Sequence, residues 1–264
     1  MIGKRFGSLF RGKQAAATVE SYSFRGRDVA EDIVAKYGPQ GDLLDIFTGM
    51  SGALVHKWHH YLPIYERYFG PLRLNWGAPL RFLEIGVSEG GSLEMWRRYF
   101  GADAIIFGVD INPECARFDG KAGQVRIGSQ DDPEFLRAVV AEMGGLDLVL
   151  DDGSHVMAHV KSTLMTLFPL LSEGGIYMVE DLHTAYWKQF GGGHSASGNF
   201  FDFIRTCVDD MHQWYHRAGV VHSELALQVG GIHIHDSIVV LDKQKVYPPT
   251  HSRIGLGSGE QVKG

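Results

Sequence analysis

A chain of 264 residues with 44% hydrophobic and 21% charged residues has the composition of a globular protein of one or two domains. Folding at this length buries roughly three quarters of the unfolded surface, so no disulfide or structural metal is required. The net charge of −6 argues against nucleic acid as the main partner, because neutralising phosphates needs a basic surface. No run approaches the roughly 18–20 apolar residues of a membrane span, so no membrane partner is expected. Cys115 and Cys207 lie far apart without metal-type spacing and read as reduced thiols.

The amino terminus carries Lys4, Arg5, Arg11 and Lys13. No long apolar stretch follows them, so the segment reads as a solvated extension rather than a signal peptide, and a cytoplasmic location is expected. Residues 20–75 look helical and rich in aromatics, a cap over the edge of a sheet, with 1–75 forming an N-terminal extension. Within them Val55-His-Lys-Trp-His-His-Tyr61 reads as aromatic packing.

A core domain is expected over residues 76–246. Arg81–Ile85 is a short apolar strand ended by a glycine-rich turn, and Ser92–Phe100 a helix with Leu93, Trp96 and Phe100 on one face. Ala104–Val109 and Gln124–Ile127 read as the next strands, and Pro133–Met143 as a helix capped by Asp131 or Asp132. Leu146–Leu150 is a fourth strand. His155–Leu171 keeps helical spacing up to Gly174-Gly175, and Ile176–Val179 is a fifth strand. Lys188–Asn199 is a glycine-containing loop, on the surface or over an acceptor. Glu224–Val229 and Ile232–Leu241 flank Gly230-Gly231, which predicts a β-hairpin turning at the glycines. Residues 247–264 read as a loose tail. Strands alternating with helices imply a doubly wound, mostly parallel α/β sheet. Seven strands ending in an antiparallel hairpin resemble the Rossmann-like class I methyltransferase fold.

The first turn, Glu84-Ile-Gly-Val-Ser-Glu-Gly-Gly91, stands where doubly wound sheets bind ligands, and glycines there let the backbone approach one. An acid ahead of that turn suits the cationic amino group of a methionine tail and suits a pyrophosphate badly. Gly86, Ser88 and Gly90 are the expected contacts beside Glu84. Asp110 ends the second strand, where a carboxylate accepts ribose hydroxyls, a feature shared with NAD-binding folds. Ser129 and Gln130 follow the third strand, beside the expected adenine edge. Asp131 there is as well explained as a helix cap. The set favours S-adenosylmethionine over NAD.

Asp151-Asp152-Gly-Ser-His155 ends the fourth strand and Glu180-Asp181-Leu-His183 follows the fifth. Converging carboxylates repel, and a hard divalent cation such as Mg²⁺ relieves that penalty. The alternative is that each acid caps a helix or is solvated. Asp152 is expected at both the cofactor and the metal. His155 is placed to act as a general base, although a lone histidine also serves as a packing residue. A hydroxyl polarised by the metal and deprotonated by His155 would attack the sulfonium methyl.

LDLVLDDGSH followed by GGIYMVEDLHTAYW resembles the metal-dependent sugar O-methyltransferases of macrolide and related antibiotic biosynthesis, the mycinamicin type. The cephalosporin-hydroxylase-like and macrocin O-methyltransferase groups are more distant. The resemblance spans about residues 50–245, and within it Val55–Tyr61 looks like the short lid segment near the cofactor of those enzymes, with aromatic packing as the alternative. It implies Asp152, Glu180 and Asp181 as Mg²⁺ ligands and His155 as the base. The chain looks shorter than those enzymes at its amino-terminal side, so the identity of the glycosylated small-molecule acceptor does not carry over. A homo-oligomer stands as an open expectation. An NAD-dependent oxidoreductase and a non-catalytic cofactor-binding partner stand as the competing readings.

Overall fold

The computed structural model describes residues 19–38 and 41–255. The basic residues of the first 18 positions and the last nine residues of the tail lie outside the described residues. Two compact units divide near Pro39. The first holds a short 3-10 turn, Val19–Tyr22, and helix α1, Val29–Tyr37. Asp28 caps α1 by accepting the Glu31 amide at 2.9 Å, which satisfies one of the open donors of the first turn.

The second unit contains the sheet and begins with α2 (Asp42–Thr48) and α3 (Tyr61–Asn75). There follow β1 (Arg81–Ile85), α4 (Gly91–Phe100), β2 (Ile105–Asp110), β3 (Gln124–Ile127) and α5 (Pro133–Met143). The chain continues through β4 (Leu146–Asp151), α6 (Met157–Leu167), β5 (Leu171–Val179), α7 (Phe200–Met211), β6 (Val229–His235) and β7 (Ile238–Lys243). The seven strands lie in the order β3-β2-β1-β4-β5-β7-β6. All pairs are parallel except β5–β7 and β6–β7, as expected for the class I methyltransferase fold.

Side-chain alternation along β1 assigns each residue to a layer. Leu83 and Ile85 join the core that α5, α6 and α7 cover, with Leu136, Val139, Leu164 and Ile204. Phe82 faces the other way, into an aromatic layer with Phe69 of α3 and Trp96 and Phe100 of α4. Glu84 shares the Phe82 face, which decides its fate below.

Two glycine pairs have roles other than the expected ones. Gly174-Gly175 does not end a helix: α6 stops at Leu167, Pro169 lies in a 3-10 turn, and the pair sits inside β5. Here the register against β4 shifts, and a Cβ on Gly175 would lie 2.6 Å from the Asp147 carbonyl oxygen. Gly230-Gly231 does not form the hairpin turn either. β6 runs through it with a bulge, and His235 pairs with Ile238 across a two-residue Asp236-Ser237 loop. Glycine tolerates a bulge as readily as a turn, so the dipeptide alone does not locate the loop. Residues 224–228, expected as strand, form a turn. Residues 247–255 carry neither helix nor strand. No described helix is long and apolar enough to cross a membrane.

At the amino edge of the strands Asp147 is fully buried. It accepts from the Arg81 amide, Nε and Nη2 at 2.9, 2.9 and 2.7 Å and from Ser172 Oγ at 2.7 Å. Burial alone would raise the Asp147 pKa, but these donors outweigh it and hold the carboxyl below its usual range. Asp147→Asn should therefore destabilise the fold by on the order of 3 kcal/mol near neutral pH, since one partner of a buried pair is removed. The depressed folded-state value makes this contribution full above the unfolded pKa of about 3.9 and lost as pH falls through the folded one. Urea titrations of both proteins at pH 7 and at about pH 3 should show the gap closing in acid.

Candidate active site

The parallel register brings four strand ends to one level. Ile85 pairs with Val109 and Asp151, and Asp151 pairs with Val179. The residues that follow, Gly86, Asp110, Asp152 and Glu180, thus share one edge. A cleft of about 420 Å³ opens there, lined among others by Gly86, Ser88, Asp110, Ser129, Gln130 and Asp152.

Gly86 makes the closest backbone approach. Its φ is +95°, and a Cβ would lie 2.1 Å from the carbonyl oxygen of Asp152. Only glycine fits both the conformation and the space. Ser88 also lies in the left-handed region, at φ +48°. Gly90 starts α4 as its cap, with a Cβ position 2.6 Å from the Phe118 ring, rather than facing the cleft.

Asp110 is anchored by three backbone amides: Val87 and Ser88 donate to Oδ2 and Asn112 to Oδ1, at 2.9, 2.9 and 2.8 Å. Oδ1, with a single amide donor, keeps lone-pair capacity, and Asp110 lines the cleft, which suits a ligand hydroxyl. Ser129 donates to Asp131, which lies 3.4 Å from His159. The helix cap of α5 is Asp132, not Asp131.

Gln130 works as a latch. Its Nε2 donates to Asp151 and to Thr163 of α6 at 3.2 and 3.0 Å, while Oε1 accepts the Ser154 amide. It therefore fixes the turn that carries Asp152 and His155. Asp151 is buried, accepts from Tyr177 at 2.9 Å, and is pushed by burial up to about 6.

Glu84 lies beneath the cleft, fully buried, because it shares the Phe82 face. It accepts from Ser92 Oγ at 2.7 Å and Trp96 Nε1 at 3.0 Å, one turn apart on α4. Burial pushes it up to about 7, against the pull of Lys57. It ties β1 to α4 under the site, with Ser92 between it and the cleft.

Asp152, His155 and Asp181 converge. His155 Nε2 stands 3.8 Å from Asp152 Oδ1 and 3.9 Å from Asp181 Oδ2. One donor atom from each of the three lies within 4.8 Å of the others. His155 and Asp181 both have positive φ, at 56° and 58°, so the two turns aim their side chains at one point under backbone strain.

Glu180 is placed differently. It is buried, with Lys57 Nζ donating to Oε1 and Tyr65 OH to Oε2. Lys57 also donates to Asp152 Oδ2 at 2.7 Å. Tyr61 OH donates to Asp181 Oδ1 at 2.7 Å and accepts the Asp181 amide at 3.2 Å. Burial would lower the Lys57 pKa, but Asp152, Glu180 and Glu84 hold it above its usual value. Burial works against charge on Asp152 too, yet Lys57 holds its carboxyl below the usual range. Glu180 is pushed well above by burial and by Asp152.

Lys57, Tyr61 and Tyr65 escaped the sequence reading. The segment Val55–Tyr61 was legible as a lid or as packing, and nothing in it marks Lys57 as the one that turns inward. The spacing of Tyr61 and Tyr65, four apart on α3, was the available signal that both face the same strand ends.

Residues 83–182 match the family described as a methyltransferase domain. This chain carries a methyltransferase domain. Its relatives include the 8-demethyl-8-(2-methoxy-alpha-L-rhamnosyl)-tetracenomycin-C 3'-O-methyltransferase of Streptomyces olivaceus, 37% identical over 198 residues, 70% of this chain and 50% of that protein. Mycinamicin VI 2''-O-methyltransferase of Micromonospora griseorubida is 30% identical, over 91% of this chain and 62% of its own length. Among solved structures, the MycE methyltransferase from the mycinamycin pathway in complex with Mg and SAH superposes with a TM-score of 0.66 at 28% identity. That match covers 83% of this chain and 55% of that one. The chain spans about half the length of the curated relatives it matches.

The glycine turn of the methyltransferase domain is open to a direct test. Gly86→Ala forces both a positive φ and a Cβ clash, so it should cost roughly 2 kcal/mol or more. Denaturant unfolding followed by circular dichroism checks this. A variant as stable as the parent would show that the Asp152 carbonyl moves away without cost.

Proposed function

We propose that this chain is an S-adenosylmethionine-dependent, Mg²⁺-dependent O-methyltransferase that acts on a sugar hydroxyl of a glycosylated small molecule. The observation that carries the reading is the convergence of Asp152, His155 and Asp181 beside the cleft that Asp110 enters. The names of the relatives, rhamnosyl and olivosyl O-methyltransferases among them, support the sugar acceptor. The MycE complexes with Mg and SAH support the two cofactors.

The residues present fit both groups. Asp152 Oδ1 and Asp181 Oδ2 are free of the lysine and tyrosine that engage their partner oxygens, and both side chains are about one fifth exposed. Two partly exposed carboxylates converging at one point suit a hard cation that keeps several waters. The anchored Asp110 carboxylate and the close approach at Gly86 suit a nucleoside with a short charged tail.

The roles follow from position. Asp110 holds the ribose hydroxyls, and the backbone at Gly86 and Ser88 flanks the methionine part. Ser129 and Gln130 stand at the adenine side, Gln130 also keeping the Asp152–His155 turn rigid. Glu84 acts from below through Ser92, and Gly90 through the start of α4. Asp152 and Asp181 would hold the ion, with Glu180 behind them. When bound, the ion would stabilise negative charge developing on the acceptor oxygen. His155 Nε2, facing both aspartates, accepts the hydroxyl proton. In-line placement of hydroxyl and methyl then supplies much of the acceleration.

Calorimetry with S-adenosylhomocysteine should show binding, weakened roughly 10- to 100-fold by Asp110→Asn, which loses charge-assisted hydrogen bonds. Stabilisation by NAD but not by S-adenosylhomocysteine would sink the reading. With rhamnosylated polyketides or deoxyhexose-bearing macrolides as acceptors, His155→Ala should lower kcat by about 10²–10⁴ while leaving donor affinity intact. Chelation by EDTA should abolish transfer and added Mg²⁺ restore it; transfer that survives chelation removes the ion from the mechanism.

A further inference from the structure

The acid cluster already contains a cation. Lys57 comes from the segment between α2 and α3, which has no helix or strand of its own, and its side chain is 1% exposed. Its ammonium group spans Asp152 Oδ2 and Glu180 Oε1 and lies 5.9 Å from the centre of the Tyr65 ring. Asp152 is thereby used on both sides. One oxygen faces Lys57 and the other faces His155, at the point where the ion would enter.

We propose that Lys57 is an internal counter-cation of the metal site, which holds Asp152 and Glu180 together in the ion-free protein and competes with an entering divalent ion for their oxygens. This rests on the reading of Asp152 and Asp181 as ion ligands. Without a cation, carboxylates at adjacent strand ends would repel and swing apart or protonate. Lys57 removes that cost between ion-binding events, and Tyr61 and Tyr65 fix the outer oxygens. The same ammonium then opposes the ion, because two cations on one carboxylate repel across a medium that screens poorly. The site therefore stays assembled when empty and binds its ion weakly enough to exchange. Lys57 acts here as a positioning residue, through the carboxylates rather than on the substrate.

The test uses the full chain and Mn²⁺ or Mg²⁺ as the probe. Ion-free Lys57→Met should melt below the parent, bind Mn²⁺ at least tenfold more tightly in calorimetry, and gain a larger Mn²⁺-induced rise in Tm. A folded variant that binds Mn²⁺ equally or more weakly overturns the competition and makes Lys57 a strut that works with the ion. A second measurement does not depend on that variant folding. In ¹⁵N-labelled parent protein the buried Lys57 ammonium resonance, assigned by its loss in Lys57→Arg, should shift on Mg²⁺ titration; an unchanged resonance in ion-loaded protein overturns the proposal. Failure of the parent itself to bind either ion is a distinct result. It removes the ion site, and the competition with it.

Discussion

Parallel pairing forces acids from different parts of the chain to the same height. Once Ile85, Val109, Asp151 and Val179 are in register, Asp110, Asp152 and Glu180 must emerge at one edge. The remaining structure around that edge deals with the consequence, which is like charge in a poorly hydrated place. Asp110 is met by three backbone amides. Asp152 and Glu180 are met by Lys57, and Asp181 by Tyr61. The donors differ by position along the edge: loop amides serve Asp110, while α3 and the segment before it bring Lys57, Tyr61 and Tyr65 to Asp152, Asp181 and Glu180.

This explains why the site has a rigid half and an open half. Gln130, Tyr177, Tyr65 and Trp96 hold buried oxygens and fix the turns that bear the chemistry. The oxygens left without such donors, one each on Asp152 and Asp181, are the ones that point at His155. A preorganised site of this kind spends no reorganisation when charge develops on an acceptor. The strained φ values of His155 and Asp181 belong to the same economy, since a turn that must aim a side chain inward often leaves the favoured backbone regions.

The relatives extend well beyond the length matched here. The matched part includes the cleft and the acid–histidine cluster. The Phe190 ring stands against both His155 and Trp187, and Trp187 against His183.

Sequence by itself determined the fold class of this protein. Apolar runs alternating with helical periodicity admit little besides a doubly wound sheet, and DDGSH and EDLH at strand ends mark an acidic edge with a histidine. Those signals are local, carried by residues adjacent in the chain. Where a feature depended on a partner far away, the sequence was silent or ambiguous. Gly-Gly at 174 and at 230 could be a helix stop, a turn or a bulge, and only pairing with β4 and β7 decided for the strand interior. Glu84 reads as a cleft residue until alternation along β1 sets it against Ser92 and Trp96. Lys57, 95 positions from Asp152 and 123 from Glu180, became part of the site only through tertiary folding. The acids were visible in the sequence, but the charge that holds them together came from Lys57, which no local pattern set apart within its aromatic-rich segment.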